Sequence, residues 1–396
     1  MPEPQSSLDL TFRSKAAARR AVRSEGFGEN GAAAIYTALT KSFGELSFGS
    51  FLKRYLYRTA EMTEPFDSVP DETFQKMILE EFASRHVPAH FTPSSASLRK
   101  LSRNWLTQKT VSRQVVLLLG FGLGMSLQDV ELFLTKGLLE TSLSPKDPFE
   151  VICWYCYRFG LGFFTFSDLW HSYVSTPSEI LRYRALDEKT ARLRKHRAQI
   201  RDETSLMAYL SRFPGYSGPM KAQSVTAREH FDRLWAEAQQ LYAEMISGQN
   251  AAIQKIRITA AAIESILYAS VPRDKQGNLA PARSAKLNGV FSGKRLTRQR
   301  ASDILSGQTA ITRYDLMTLN YLVFSLRQDF LSPAARKDAF RQSTNRLLEE
   351  CGMYPLYSAN PYESFLELSI STEDPLCTFS DVFELCYADF SVQQEG

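Results

Sequence analysis

The sequence predicts a mainly α-helical protein in which one helical module occurs twice, the copies joined by a helical connector, with little or no sheet. Three observations lead there. Four blocks recur in the same order: WLTQKTVSR from Trp105 with ILSGQTAITR from Ile304, LFLTKG ending at Gly137 with LLEECG ending at Gly352, DPFE at Asp147–Glu150 with NPYE at Asn360–Glu363, and TFSD at Thr165–Asp168 with the same four letters at Thr378–Asp381. A short identity is unremarkable in 396 residues, but the last two matches share one offset, and common spacing is the mark of a repeat. Helix-start signals also precede apolar residues at helical spacing along most of the chain, and no alternation of strand with helix is evident.

Taken in order, residues 1–40 form a basic N-terminal segment, with five basic residues and no acid from Arg13 to Arg23. Residues 41–174 form the first module. Its longest apolar run, Val115 to Met125, contains Gly120, Gly122 and Gly124 and could be a buried strand; analogy with Asp315 to Phe324 in the second copy favours helix. Asp147 and Asn360 are expected N-caps, with Pro148 and Pro361 at the first helical position and Glu150 and Glu363 at the third. Thr165 with Asp168, and Thr378 with Asp381, have the spacing of further capping pairs. Gly137 and Gly352 suit helix C-termini in the left-handed conformation. Because these residues serve as punctuation, no catalytic role is expected for Glu150, Glu363, Asp168 or Asp381.

Residues 175–250 read as the connector. They carry eight basic residues against two acids from Arg182 to Arg201, then the turn-rich FPGYSGP at 213–219, the clearest boundary. Thr226 and Glu229 then cap a helix with Phe231, Leu234, Trp235, Ala238, Leu241, Tyr242 and Met245 on one face. Residues 251–396 form the second module. Thr312 with Asp315 starts a helix carrying Leu316, Leu319 and Leu322, and Ser332 with Pro333 opens another that runs to Gly352. Arg283 to Arg300 holds six basic residues and no acid, whereas Leu347 to Gly396 holds ten acids and neither Lys nor Arg. Such asymmetry suits a basic face for an anionic polymer and an acidic region turned away or toward a partner.

Composition narrows the function classes. An apolar content of 44% with 26 Phe and 17 Tyr indicates a globular chain, and no apolar run is long enough to cross a bilayer. The start MPEPQSSLDL lacks the pattern of a secretory leader, and five cysteines cannot make a disulfide framework, so a cytoplasmic location and no membrane partner are expected. Cys153 and Cys156 form a CxxC, but no second pair at metal-ligand spacing accompanies it, and two thiols at i and i+3 are common in buried helices. The glycines of GFGLG do not have GxGxxG spacing. His86, His90, His171, His196 and His230 show no HExxH, and no GxSxG occurs. Neither an enzyme, a cofactor nor a metal site is therefore expected.

Leu101 to Leu134 resembles the second half of Xre-type, lambda-repressor-like helix-turn-helix domains, in which a recognition helix ending near a tryptophan is followed by a polar loop, an apolar helix, a glycine and a Ser-Leu-x-x-Val start to the last helix. Trp105, Gln108, Lys109, Ser112, Gly124, Ser126 and Val130 fill those places. The second copy, RQRASDILSGQTAITRYDLMTLNYLVF, is a looser match, with Gly307 and Gln308 in the loop. The resemblance covers roughly 35 residues per copy. It implies a DNA-binding transcriptional regulator with double-stranded DNA as partner. The contact residues implied are Arg99, Lys100, Arg103 and Asn104 in the first copy and Arg295, Arg298, Gln299 and Arg300 in the second, with Lys294 and Arg283 beside them. Arg can bond guanine in bidentate fashion and Asn or Gln adenine, while the remaining cations would hold phosphates. The competing expectation is a non-enzymatic helical interaction or scaffold protein, whose partner is another protein or a second copy of the chain.

Overall fold

The computed structural model describes residues 22, 27, 31–41, 47–85, 87, 97–138, 140–175, 190–213, 225–247, 259–279, 291, 293–327, 332–357 and 360–394. Among them the chain is mainly helical. In chain order the helices are α1 (Gly31–Lys41), α2 (Phe48–Thr59), α3 (Asp71–Ser84), α4 (Leu98–Thr107), α5 (Arg113–Leu123), α6 (Leu127–Leu132), α7 (Pro148–Phe159), α8 (Phe163–Ser175), α9 (Thr190–Arg197), α10 (Glu203–Leu210), α11 (Val225–Ser247), α12 (Ala260–Leu267), α13 (Arg298–Leu305), α14 (Arg313–Leu326), α15 (Pro333–Glu350), α16 (Pro361–Ser369) and α17 (Pro375–Gln394). The described residues form no β-strand; Thr141 with Met353, and Arg273 with Leu279, make isolated antiparallel bridges. No helix among them is long and apolar enough to cross a membrane.

These helices fall into two compact units. The first holds α2 to α10 together with residues 350–354, and the second holds α1, α11 to α14, the bulk of α15, α16 and α17. The stretch read as a connector is thus divided, α9 and α10 going with the first unit and α11 with the second. Helix α1, in the stretch read as a basic N-terminal segment, packs on α16 and α17. Most of the basic run from Arg13 to Arg23 and nearly all of FPGYSGP lie outside the described residues.

In the first unit Phe133 stands edge-on to Phe51 and Tyr55 at 4.9 and 5.2 Å between ring centres, tying α2 to the π-helical turn Phe133–Gly137. The apolar run is helix α5, and packing explains its glycines. A Cβ at Gly122 would enter the Phe82 ring, and one at Gly120 would lie 2.5 Å from the Tyr157 hydroxyl. Each costs about 1 kcal/mol of helix propensity, which the close approach of α3 and α7 offsets. Gly124 ends α5 in the left-handed conformation, and Ser126 opens α6 with a reciprocal capping box through Asp129. The second unit has an aromatic core in which Phe365 lies 4.9 Å from Phe379 and 5.3 Å from Phe291.

Most expected helix starts hold. The Asp147 side chain accepts from the Phe149 and Glu150 amides, the Asn360 side chain accepts from that of Tyr362, and Thr312 forms a capping box with Asp315. Gly352 is left-handed, with φ 74°. Gly137 is not: it closes a π turn, so its helix ends by widening. The two TFSD blocks do not cap helices either. Thr165 and Thr378 sit inside α8 and α17, and Asp374 takes the capping bond from the Cys377 amide. Ser380 and Asp381 instead accept from the Ser270 amide and hydroxyl.

Candidate nucleic-acid interface

Helix α4 is strongly two-faced. Ser102, Trp105 and Leu106 are buried, while Arg99, Lys100, Arg103 and Thr107 are exposed and Asn104 is half-buried. The buried face packs on α2 and α3. Gln75 of α3 donates to the Arg99 carbonyl at 2.7 Å and to the Ser102 hydroxyl at 3.1 Å. Beyond the helix, the Gln108 and Lys109 carbonyls accept from the Gly49 and Phe48 amides at the start of α2, at 3.0 and 2.8 Å. Gly49 is required there, because a Cβ would strike the Leu106 carbonyl. The loop residues Gln108, Lys109 and Thr110 are therefore held exposed on a fixed backbone.

The electrostatics of this helix are one-sided. The Ser97 hydroxyl caps it, and no acid follows in its first turn, where Arg99 and Lys100 stand instead. Cations at a helix N-terminus oppose the macrodipole by about 0.3–1 kcal/mol each. No Asp or Glu occurs between Glu81 and Asp129. Among the described residues Arg99, Lys100 and Arg103 have no side-chain hydrogen bond or ion pair.

In the second unit the corresponding residues are largely spent. Arg300 of α13 donates from Nε and Nη2 to the two oxygens of buried Asp315 at 3.0 and 2.7 Å, and also to the Thr309 hydroxyl and the Ala310 carbonyl. Arg298 donates to Asn278 at 2.5 Å, and Gln299 to Asp303 at 2.7 Å. Lys294 lies over the Tyr314 ring at 5.1 Å, and burial pushes its amine down to about 8 against the opposing pull of Glu363. Arg295 is half-buried. Arg283 lies outside the described residues.

Each unit also contains a buried ion pair that residue types alone did not disclose. Arg113, first residue of α5, donates from Nε and Nη2 to Glu150 at 2.5 and 2.7 Å, and Glu150 also accepts from the Ser144 amide at 2.6 Å. Arg313, first residue of α14, lies 2.8 Å from Glu363, which also accepts from the Tyr357 amide at 2.7 Å. Both arginines close the matched blocks WLTQKTVSR and ILSGQTAITR, which was the signal available in the sequence.

The packing of α4 departs from a helix-turn-helix in one respect. Helix α3, which braces it, ends at Ser84, so residues 85–97 intervene where that motif has a turn of three or four residues. Residues 268–297 separate α12 from α13. The CxxC thiols lie buried in α7, burial pushing Cys156 up to about 12 and Cys153 well above its usual value. No cluster of three or more metal-ligating side chains occurs among the described residues. No protein-family model matches the chain, and neither does any curated protein or solved structure.

Proposed function

We propose that the chain binds double-stranded DNA through α4, as a transcriptional regulator built from two copies of one helical module. The observation that carries this reading is the set of three exposed cations on a rigidly backed helix, two of them, Arg99 and Lys100, in the first turn where the helix itself disfavours them, with no acid in the chain between Glu81 and Asp129. A phosphate at that N-terminus would reverse the penalty, since backbone amides, dipole and side chains all favour an anion there. Arg103 and Asn104, further along, are the groups to test for base contact.

Duplication is supported by the two buried pairs. In both units an arginine opening the helix after a Ser or Thr cap meets a glutamate at the third position of a Pro-led helix, and that glutamate also accepts from the amide six residues before it. A second reading, an interaction or scaffold protein, draws on Phe159, Phe164 and Val174, which are 40%, 60% and 57% exposed. Fluorescence anisotropy with a mixed-sequence duplex over a salt series separates the two. Phosphate contact makes affinity fall with a slope near −0.9 per neutralised phosphate, and replacement of Arg99, Lys100 and Arg103 by alanine is expected to abolish most of it. Duplex affinity that is undetectable, or unmoved by that triple replacement, overturns the reading.

A further inference from the structure

Nothing in α13 itself explains how the second unit is braced at the side from which its basic helix begins. Residues Arg273 to Leu279 fold back as a small hairpin closed by an antiparallel bridge. Asp274 donates its amide to the Asn278 carbonyl at 2.9 Å, and its side chain accepts from the Gln276 and Asn278 amides. Gly277 supplies the left-handed residue, with φ 76°. Three bonds then clamp the hairpin to α12 and α13. Buried Glu264 accepts from the Arg273 guanidinium at 2.8 Å and from the Arg298 amide at 2.6 Å, and Arg298 reaches Asn278 at the hairpin's far side.

Among the described residues the acids of the hairpin, of α12 and of α13 are all partnered. Asp274 is occupied by its own turn, Glu264 by Arg273 and the Arg298 amide, and Asp303 by Gln299. Lys275, at the tip, is exposed and has no side-chain hydrogen bond or ion pair among the described residues. Because the backbone of the arm is already held, a counterion that meets this cation has only the lysine side chain left to order.

We infer that this hairpin is a second nucleic-acid contact, with Lys275 holding a phosphate of duplex DNA beside α13. The inference rests on the DNA-binding reading above and assigns the second unit a contact of its own. Its neutralised phosphate should appear in the salt dependence.

The test uses the full chain and a mixed-sequence duplex, comparing K275A, K275R and R103A with the parent protein over a salt series. Lys275→Ala is expected to flatten the slope by about 0.9 and to weaken binding several-fold at low salt, with Lys275→Arg restoring both. The residue is exposed and unbonded, so the variants should fold as the parent does. Loss on R103A with K275A unchanged overturns the hairpin contact while leaving α4 standing. An arginine that fails to restore binding also overturns it, since the effect would then not be one of charge. A parent protein that does not bind the duplex removes both readings together.

Discussion

Helices α4 and α13 begin alike and end differently. Each follows a Ser or Thr cap, each has a basic first turn without an acid, and each carries one arginine at its third position or next to it. In the first unit these charges are exposed and have no side-chain partner among the described residues; in the second, Arg300 is fixed on buried Asp315 and Arg298 on Asn278. The contrast teaches that a count of cations measures capacity and that acidic partners decide how much of it is free. Asp315 is the decisive residue: it is the third residue of α14, where α5 has Val115, and it fixes Arg300 as a brace.

The comparison is broken most severely at the paired glutamates. Arg313 and Glu363 are 3% and 0% exposed, whereas Arg113 and Glu150 are 20% and 8% exposed. Removing one partner of a fully buried pair strands the other, typically at a cost of about 3–5 kcal/mol. Glu363→Ala is expected to reach that range and Glu150→Ala to fall below it, as read by denaturant unfolding with hydrogen exchange to assign the loss to one unit. Equal losses would mean that water reaches both pairs alike.

The next contrast concerns the arginines themselves. Arg300→Met would remove the guanidinium that bonds both oxygens of Asp315 and leave it only the Thr312 bonds to Oδ2, at an expected cost of about 2–4 kcal/mol in stability. The Arg103 side chain is exposed and has no hydrogen bond or ion pair among the described residues, so Arg103→Ala should stay within about 0.5 kcal/mol for stability. On duplex affinity, Arg103→Ala should cost about 1–3 kcal/mol if the side chain reads a base. A fully folded Arg300→Met variant with weakened DNA binding would show that α13 uses this side chain for DNA as well as for bracing.

Much of the helical architecture was legible because it is written in local chemistry. Asp147, Asn360, Thr312 and Ser126 are side chains whose capping role follows from what comes one to three residues later. The TFSD blocks misled for the same reason: Thr and Asp at capping distance also occur inside helices, and only the bonds of Ser380 and Asp381 to distant Ser270 reveal their use. Gly120 and Gly122 could not be explained from sequence, since their cause is Phe82 and Tyr157 arriving from other helices. For the candidate site, the basic residues were visible. Which of them are spent was not, because Asp315 and Asn278 become neighbours of Arg300 and Arg298 only through folding.

The smallest expected effect lies at two helix caps, one in each unit, that differ by one atom type, Asp147 in α7 and Asn360 in α16. Burial, reinforced by the charge of Glu150, pushes the Asp147 carboxyl up to about 6, although the Glu150 and Phe149 amides and Arg113 pull the other way. An unfolded Asp titrates near 3.9, so the folded protein binds this proton more tightly. Its contribution therefore runs opposite to that of a salt-bridged carboxylate: stability is gained as pH falls through about 6, levels off below the unfolded value, and is withheld at neutral pH. Asn360 has no proton to exchange and its amide donates to Glu363 at 2.6 Å, so the second unit has no such dependence at this cap. Asp147→Asn should remove that part of the first unit's pH dependence. Because Asn caps as well as Asp, it should change stability at neutral pH by at most about 1 kcal/mol, upward. Denaturant midpoints of the parent and D147N at about pH 5 and pH 7 decide the matter: if the two proteins keep a constant difference between those values, Asp147 does not titrate in this window.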